Sequence, residues 1–255
     1  SSPRPVMVHS HGSGSIRWEM PFLMEFMASH GWIVTAPDHW GNTLYDATTT
    51  YYELYAQRPL DIQETFDWLV AQSADPASPM YGCVDEEAGY VVSGFSFGGY
   101  TAYAVGGALV NDTSGTPVYD ISDPRATAVV TFAPWNGMGA LGEGTSSIDV
   151  PVLTIGGERD ETCGTQYRDL HDPIPAVPRA MASLFDAGHL TFVPMYCDWG
   201  YVGDGCGGSF VDDEDYIPFV QTTVMAFLEH LRGTAGAWEQ LVEDDALLSW
   251  EWVTD

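Results

Sequence analysis

The chain has 255 residues, of which 36 are acidic, eight are arginine and none is lysine, so its formal net charge is −28 at pH 7. A surface of this charge repels nucleic acid and anionic membranes, and we expect neither as a partner. Hydrophobic residues make up 45% of the sequence, which excludes a disordered chain, and no apolar run approaches the about 20 residues of a membrane-spanning helix.

Apolar runs alternate with helical patterns along the chain, which indicates βαβ units and a mainly parallel sheet. The predicted strands cover residues 5–10, 32–38, 89–93, 126–135 and 150–160. The predicted helices cover residues 20–31, 58–72, 97–110 and 216–233, and a short segment of undecided type covers residues 190–196. No repeat or linker divides the sequence, so we predict one α/β domain over residues 1–255, with helices on both faces of its sheet.

The sequence GFSFG at residues 94–98 places one serine between two glycines, where a predicted strand ends and a helix begins. In this context G-x-S-x-G is typical of a nucleophile elbow, a strained turn that exposes the serine oxygen. A plain tight turn is the alternative, because a chain with 27 glycines contains such pentapeptides by chance. A serine nucleophile also needs a base, an acid and N–H groups for an oxyanion, so each of these has to be present.

The required acid and base both follow the elbow in the sequence. Asp160 ends the predicted strand 150–160, and His189 lies on a later loop. The order Ser, Asp, His and the location at the carboxyl ends of strands are typical of a parallel-sheet hydrolase. Glu158 and Glu161 are alternative acids. The pattern predicts Ser96 as nucleophile, Asp160 as acid and His189 as base, with no metal and no other cofactor.

The oxyanion site is expected at the first strand, which runs into HSHGSGS at residues 9–15. Gly12 or Ser13 offers an N–H there, opposite the N–H of Phe97 that follows the nucleophile. We expect His11 to brace this turn. A metal site formed by the H-x-H pair is the less favoured interpretation, since no carboxylate partner is evident.

Four cysteines allow three disulfide pairings. Cys197 and Cys206 enclose a loop poor in core residues, so we predict a bond between them. A disulfide implies an oxidising compartment, and we expect a secreted or periplasmic protein whose N-terminus has been trimmed. No cysteine or histidine spacing matches a structural zinc site. The acidic loop 204–215 is either a calcium site or a solvated loop, and we favour the solvated loop.

Taken together, several motifs resemble the α/β-hydrolase superfamily. They are HSHGSGS, APDHWGNT, RPLDI, GFSFGGYTAY, GGERDETC and AGHLTF, and they cover most of residues 5–195. Within the superfamily the chain is similar to secreted bacterial esterases known as predicted dienelactone hydrolases, and to platelet-activating-factor acetylhydrolases and cutinase-like polyester hydrolases. The resemblance implies the same nucleophile, acid and base, with Ser13 and Phe97 as the oxyanion donors.

The chain departs from these families at two places. True dienelactone hydrolases use a cysteine nucleophile, so the serine here does not imply their activity. Polyester hydrolases usually carry a tyrosine in the first oxyanion turn, and HGSGS has none. The stretch FAPWNGMG at residues 132–139 resembles their segment with a tryptophan beside the cleft. Trp135 is therefore a candidate for stacking on an aromatic acyl group, with a packing role as the alternative.

The sequence thus predicts a serine carboxylic-ester hydrolase that forms an acyl-enzyme, with aromatic polyesters such as poly(ethylene terephthalate) among its substrates. A short-chain or lipid esterase and a non-catalytic binding module on the same fold are the alternatives. The predicted substrate contacts are Trp135 and Gly12. We expect an ester as the only ligand and a monomer in solution.

Overall fold

The computed structural model describes residues 3–237 and 248–253 and contains a seven-stranded sheet. Its strands are β1 (Val6–Ser10), β2 (Ile33–Thr35), β3 (Tyr90–Phe95), β6 (Ala126–Phe132), β7 (Val152–Gly157), β8 (Arg179–Leu184) and β9 (Leu248–Val253). Their order across the sheet is β2-β1-β3-β6-β7-β8-β9. The first six strands run parallel, and β9 pairs antiparallel with β8. A separate hairpin joins β4 (Val110–Asn111) to β5 (Pro117–Tyr119).

The helices are connected to the strands as a βαβ arrangement requires. They are α1 (Pro21–Ser29), α2 (Tyr51–Ala74), α3 (Phe97–Val105), α4 (Gln166–His171), α5 (Met195–Asp198) and α6 (Asp213–Leu231). Two short 3₁₀ helices cover Gly142–Ser147 and His189–Phe192. None of the helices within residues 3–237 combines the length and the apolar character needed to cross a bilayer.

Two hydrophobic cores lie on opposite faces of the sheet, because neighbouring side chains of a strand point to opposite sides. In β1, Val6 and Val8 join the core formed with α2 and α3, while Met7 joins the core formed with α1 and α6. The predicted fold class, a mainly parallel sheet with helices on both faces, is therefore confirmed. The six parallel strands place six carboxyl ends along one edge, where the predicted site residues lie.

The structure differs from the predicted elements at several places. Helix α2 begins at Tyr51, seven residues earlier than predicted, because Thr50 and Glu53 form a capping box that starts it. Strand β8, the hairpin and α4 were not predicted, and the segment 190–196 is divided between the second 3₁₀ helix and α5. The predicted strand 150–160 ends at Gly157, so Asp160 lies on the loop beyond it.

The acidic stretch at residues 204–215 does not stay a loop throughout. Asp212 is the N-cap residue of α6, and the next three acidic residues lie in the first turn of that helix. Negative side chains at this position interact favourably with the helix dipole. This placement gives the acidic residues at the start of α6 a structural role.

The predicted bond between Cys197 and Cys206 is confirmed, with an S–S distance of 2.09 Å. Cys206 is buried, and the loop between the two cysteines follows α5 directly. The disulfide therefore closes a short loop just beyond the 3₁₀ helix that begins at His189.

Candidate active site

Ser96 lies in a strained turn between β3 and α3. Its φ of 53° and ψ of −115° are unusual for a residue with a side chain. A Cβ atom at Gly94 would lie 2.1 Å from the carbonyl oxygen of Gly98, and one at Gly98 would lie 1.8 Å from the carbonyl oxygen of Ser10. Only glycine fits at both positions, so GFSFG forms the close-packed elbow rather than a chance turn.

The three predicted residues Ser96, Asp160 and His189 lie together at the carboxyl edge of the sheet. Ser96 Oγ is 2.9 Å from His189 Nε2, and His189 Nδ1 is 2.8 Å from Asp160 Oδ2. A carboxylate can only accept, so Nδ1 carries the proton and Nε2 is free to accept the serine proton. Of the alternative acids, Glu158 pairs with Arg168 at 3.2 Å, and neither glutamate takes the place of Asp160 beside the imidazole.

Cys163 lies beside these residues, an arrangement that sequence reasoning missed. Its N–H donates to Asp160 Oδ1 at 2.6 Å. Its sulfur, a carboxylate oxygen of Asp160 and a ring nitrogen of His189 lie within 4.8 Å of one another, the one cluster with potential metal-ligand geometry in the described part of the chain. Burial, with the nearby carboxylates Asp160 and Asp204, raises the pKa of the Cys163 thiol. The thiol stays neutral, so it is a poor metal ligand and a poor nucleophile.

The turn after β1 presents one N–H that is occupied and one that is available. The Gly12 N–H donates to both carboxylate oxygens of the fully buried Glu19, at 2.9 and 3.0 Å. Within the described residues the Ser13 N–H has no acceptor. Phe97 opens α3, where the first N–H groups have no acceptor inside the helix. Of the two candidates, Gly12 and Ser13, Ser13 therefore has the N–H that is free to bind a ligand.

His11 braces this turn in a neutral state. Its Nδ1 lies 2.7 Å from the Gly12 carbonyl oxygen, and its Nε2 accepts the His39 N–H at 3.1 Å. The second bond requires an unprotonated Nε2, so the proton is on Nδ1 and donates to Gly12. Burial, together with the positive charge of Arg58, lowers the pKa of His11 to about 3. The imidazole is therefore neutral at neutral pH and keeps one tautomer.

Arg58 of α2 contacts the turn after β1, and no role for it was predicted from the sequence. The side chain is fully buried. It donates to the His11 carbonyl oxygen and to Asn42 Oδ1, the latter at 2.6 Å, and its guanidinium lies 4.4 Å from the centre of the Phe97 ring. A charged residue within the apolar pattern of α2 was the available signal, since buried arginine requires partners. Arg58 thus connects the turn after β1 to α3.

Aromatic side chains border the elbow on one side. The Trp135 N–H donates to the Ser96 carbonyl oxygen at 2.9 Å, and its ring centre lies 5.0 Å from that of Phe97 and 5.4 Å from that of Tyr51. The Tyr51 hydroxyl lies 3.1 Å from Ser13 Oγ. Tyr51 begins α2, so a tyrosine from another element reaches the turn after β1. Sequence reasoning missed it because 38 residues separate the two partners.

Asp204, in the disulfide-closed loop, bonds to both the acid loop and the histidine loop. Its Oδ1 accepts the N–H of His189 at 2.9 Å and the N–H of Glu161 at 2.8 Å, and its Oδ2 accepts the Thr162 hydroxyl at 2.5 Å. From the sequence, this residue was predicted only as part of an acidic loop. The available signal was the Asp-Gly pair between the two cysteines, which is typical of a tight hairpin turn.

A serine on a strand-to-helix elbow, with a carboxylate and a histidine at later strand ends of a parallel sheet, defines the α/β-hydrolase fold. The model of the PET hydrolase-like family matches residues 6–191, and the chain belongs to that family. No curated protein matches the sequence. The matched region includes Ser96, Asp160 and His189 but ends before the disulfide-closed loop. That loop and Asp204 thus lie beyond the part of the chain that the family model describes.

Proposed function

We propose that the protein is a serine carboxylic-ester hydrolase that acts through an acyl-enzyme at Ser96. The observation that carries the proposal is the continuous chain from Ser96 Oγ through His189 to Asp160, with distances of 2.9 and 2.8 Å. Membership of the PET hydrolase-like family supports an ester hydrolase independently. A non-catalytic binding module would have no use for this geometry or for the strained elbow.

In the proposed reaction, Ser96 Oγ attacks the ester carbonyl carbon while its proton passes to His189 Nε2. The tetrahedral intermediate collapses to the acyl-enzyme, and the alcohol leaves with the proton from Nε2. A water molecule then loses its proton to the same nitrogen and attacks the acyl carbon. Collapse of the second intermediate releases the acid and returns the proton to Ser96. Asp160 holds the imidazole tautomer and stabilises the imidazolium in both steps.

The Ser13 and Phe97 N–H groups are the proposed oxyanion donors. Loss of one such donor typically lowers kcat by about 10²–10³-fold. The bonds of Glu19 to Gly12 and of Arg58 to the His11 carbonyl fix the turn that carries Ser13. Gly12 stays a predicted substrate contact, and its N–H is already bonded, so such a contact would be made through its Cα.

For the substrate, we propose an uncharged aromatic ester, including aromatic polyesters. Trp135 and Tyr51 present two aromatic rings beside the elbow, and such rings add about 0.5–1.5 kcal/mol to an aromatic contact beyond its buried area. The net charge of −28 disfavours approach to anionic lipid surfaces. A short-chain ester would react at the same triad but would gain nothing from the rings. The disulfide supports secretion or a periplasmic location.

Two measurements test the proposal. The purified protein is assayed with p-nitrophenyl butyrate and with a fluorophosphonate probe, and S96A serves as the inactive control with a loss of several orders of magnitude in kcat. If the wild-type protein shows neither turnover nor labelling, the proposed esterase activity is contradicted.

The substrate class is tested with W135A and W68A. Trp68 is the matched control, since it is an exposed tryptophan of α2 that contacts none of the site residues described above. W135A is expected to lose turnover of bis(2-hydroxyethyl) terephthalate several-fold while p-nitrophenyl acetate is spared. Equal losses on both esters would mean that Trp135 only packs. If no terephthalate units are released from polyester film, polyesters are removed from the proposed substrates.

A further inference from the structure

We propose that Asp204 is a positioning residue for His189, and that the Cys197–Cys206 disulfide holds it in place. The inference rests on the proposed esterase function and adds a residue to its machinery. Three observations carry it: the bonds that the carboxylate accepts, the turn that presents the carboxylate, and the covalent closure of the loop.

The carboxylate connects the two loops that must stay in register for the reaction. The N–H of Glu161 and the hydroxyl of Thr162 belong to the loop after β7 that carries Asp160, and the third donor is the N–H of His189 itself. Burial opposes ionisation of Asp204, but the bonds from His189, Thr162 and Glu161 outweigh it and lower the pKa of Asp204. The residue is thus an anion, and its hydrogen bonds are charge-assisted, about twice as strong as neutral ones.

The turn that carries Asp204 is closed by backbone hydrogen bonds. Gly203 and Cys206 exchange two backbone hydrogen bonds, of 2.9 and 3.1 Å, around Asp204 and Gly205. The two central residues have φ values of 46° and 114°, the left-handed pair of a type I′ turn, for which Asp-Gly is a preferred sequence. This geometry aims the carboxylate at its three donors before any substrate arrives.

The turn also packs backbone to backbone against the histidine loop. The Asp204 carbonyl oxygen accepts the N–H of Leu190 at 2.7 Å. A Cβ atom at Gly188 would lie 2.3 Å from the Asp204 carbonyl carbon, and one at Gly205 would lie 2.3 Å from the Thr191 nitrogen. Contacts this close leave little room for movement of the residue that lies between them, His189.

The disulfide replaces the core that this loop lacks. Tyr201 and Val202 are 58% and 90% exposed, so apolar burial contributes little to the fold of the loop. Cys206 is buried two residues after Asp204, and Cys197 lies in α5, which follows the 3₁₀ helix of His189. The bond therefore fastens the turn to the same segment that carries the imidazole. A displacement of about 1 Å at a catalytic group can lower the rate by about 10²-fold.

The test compares two substitutions that both tolerate the left-handed backbone of Asp204. Asn keeps an oxygen for the two N–H groups, and Gly removes it without adding backbone strain. For D204G we expect kcat to fall about 30-fold with KM within about twofold, and the rate of fluorophosphonate labelling to fall in parallel. D204N is expected to stay within about fivefold of the wild type.

Asp186 provides the matched control. It has the same residue type, a φ of 54°, and a position in the neighbouring turn after β8, but its carboxylate pairs with Arg159. D186G should therefore leave kcat within about twofold of the wild type. Equal losses in D204G and D186G, or an effect of D204G on KM alone, would overturn the positioning role. If D204G does not fold, D204S replaces it, because the shorter hydroxyl side chain cannot reach both N–H groups.

The disulfide is tested on the folded wild-type protein by reduction with a phosphine, with the double variant C197A/C206A as a second route. We expect kcat to fall about tenfold in both cases while the far-ultraviolet circular dichroism is kept. Unchanged kcat after complete reduction would overturn the role of the bond. These results are distinct from failure of the proposed function, in which the oxidised wild type itself neither turns over ester nor reacts with the fluorophosphonate.

Discussion

His171 gives a stability prediction whose size grows as the pH falls. The side chain is fully buried at the end of α4, where Nδ1 lies 3.0 Å from Thr154 Oγ1, and Nε2 has no partner among the described residues. Burial, with a smaller contribution from Arg179, lowers the pKa of His171 to about 3 from the ordinary 6.5. Between these values the unfolded chain binds one proton more than the folded chain, so the unfolding free energy falls as the pH falls.

The magnitude follows from one proton per molecule. Each pH unit below 6.5 costs about 1.4 kcal/mol, so at pH 5 His171 removes about 2 kcal/mol of unfolding free energy. The expected figure does not depend on the exact lowered pKa, since pH 5 lies well above it. H171L removes this pH-dependent loss, because leucine has no titrating group. Thr154 keeps its bond to the Tyr103 hydroxyl at 2.7 Å, so we expect a change at pH 7 of within about 1 kcal/mol.

Equilibrium urea unfolding at pH 7 and pH 5 measures the effect. The wild type is expected to lose about 2 kcal/mol more than H171L between the two pH values. L170M, a buried neighbour on the same helix with no titrating group, is the control and should follow the wild-type pH dependence. A pH dependence of H171L equal to that of the wild type would refute the reasoning.

Three further substitutions test the elbow and the residues that pack around it. R58M leaves the His11 carbonyl and Asn42 Oδ1 without their donor, so we expect a loss of about 3–5 kcal/mol and of at least tenfold in kcat, measured by thermal unfolding and ester assay. G98A should not give folded protein, since its Cβ would overlap the Ser10 carbonyl. C163A should keep kcat within about threefold, and iodoacetamide should not inactivate the wild type, because the buried thiol stays protonated.

The local signals in the sequence were strong enough to predict most of the sheet. Runs such as 5–10 and 89–93 are apolar and β-branched, and they appear as β1 and β3 within two residues. Strand β8 was missed because its sequence, RAMASL, lacks the β-branched and aromatic residues of a typical strand. Its place between β7 and β9 comes from burial on both faces, which single-sequence periodicity does not contain.

The candidate site was also predicted only in part. Ser96, Asp160 and His189 follow strands in a recognisable order, so sequence reasoning named them, and the structure brings them together. Their catalytic roles stay predictions. Arg58 and Asp204 were beyond that reasoning, since their roles depend on partners that are distant in the sequence or lie in another loop. The sequence shows each of them only through a weak local signal, a charge in an apolar helix pattern for Arg58 and an Asp-Gly pair for Asp204.

The capping box of α2 links the fraying of this helix to the position of the aromatic rings beside Ser96. Tyr51 is the first residue of α2. Exposed bonds between Thr50 and Glu53 cap that end of the helix, and the Tyr51 ring packs on Phe97 and Trp135. A cap of this kind contributes about 1 kcal/mol, so its loss increases the frayed population of the first turn about fivefold. In each frayed molecule the Tyr51 ring is displaced from Trp135, while the Ser96–His189 hydrogen bond is kept. We therefore expect the substrate preference of the proposed esterase to respond to helix-cap chemistry at Thr50, outside the triad.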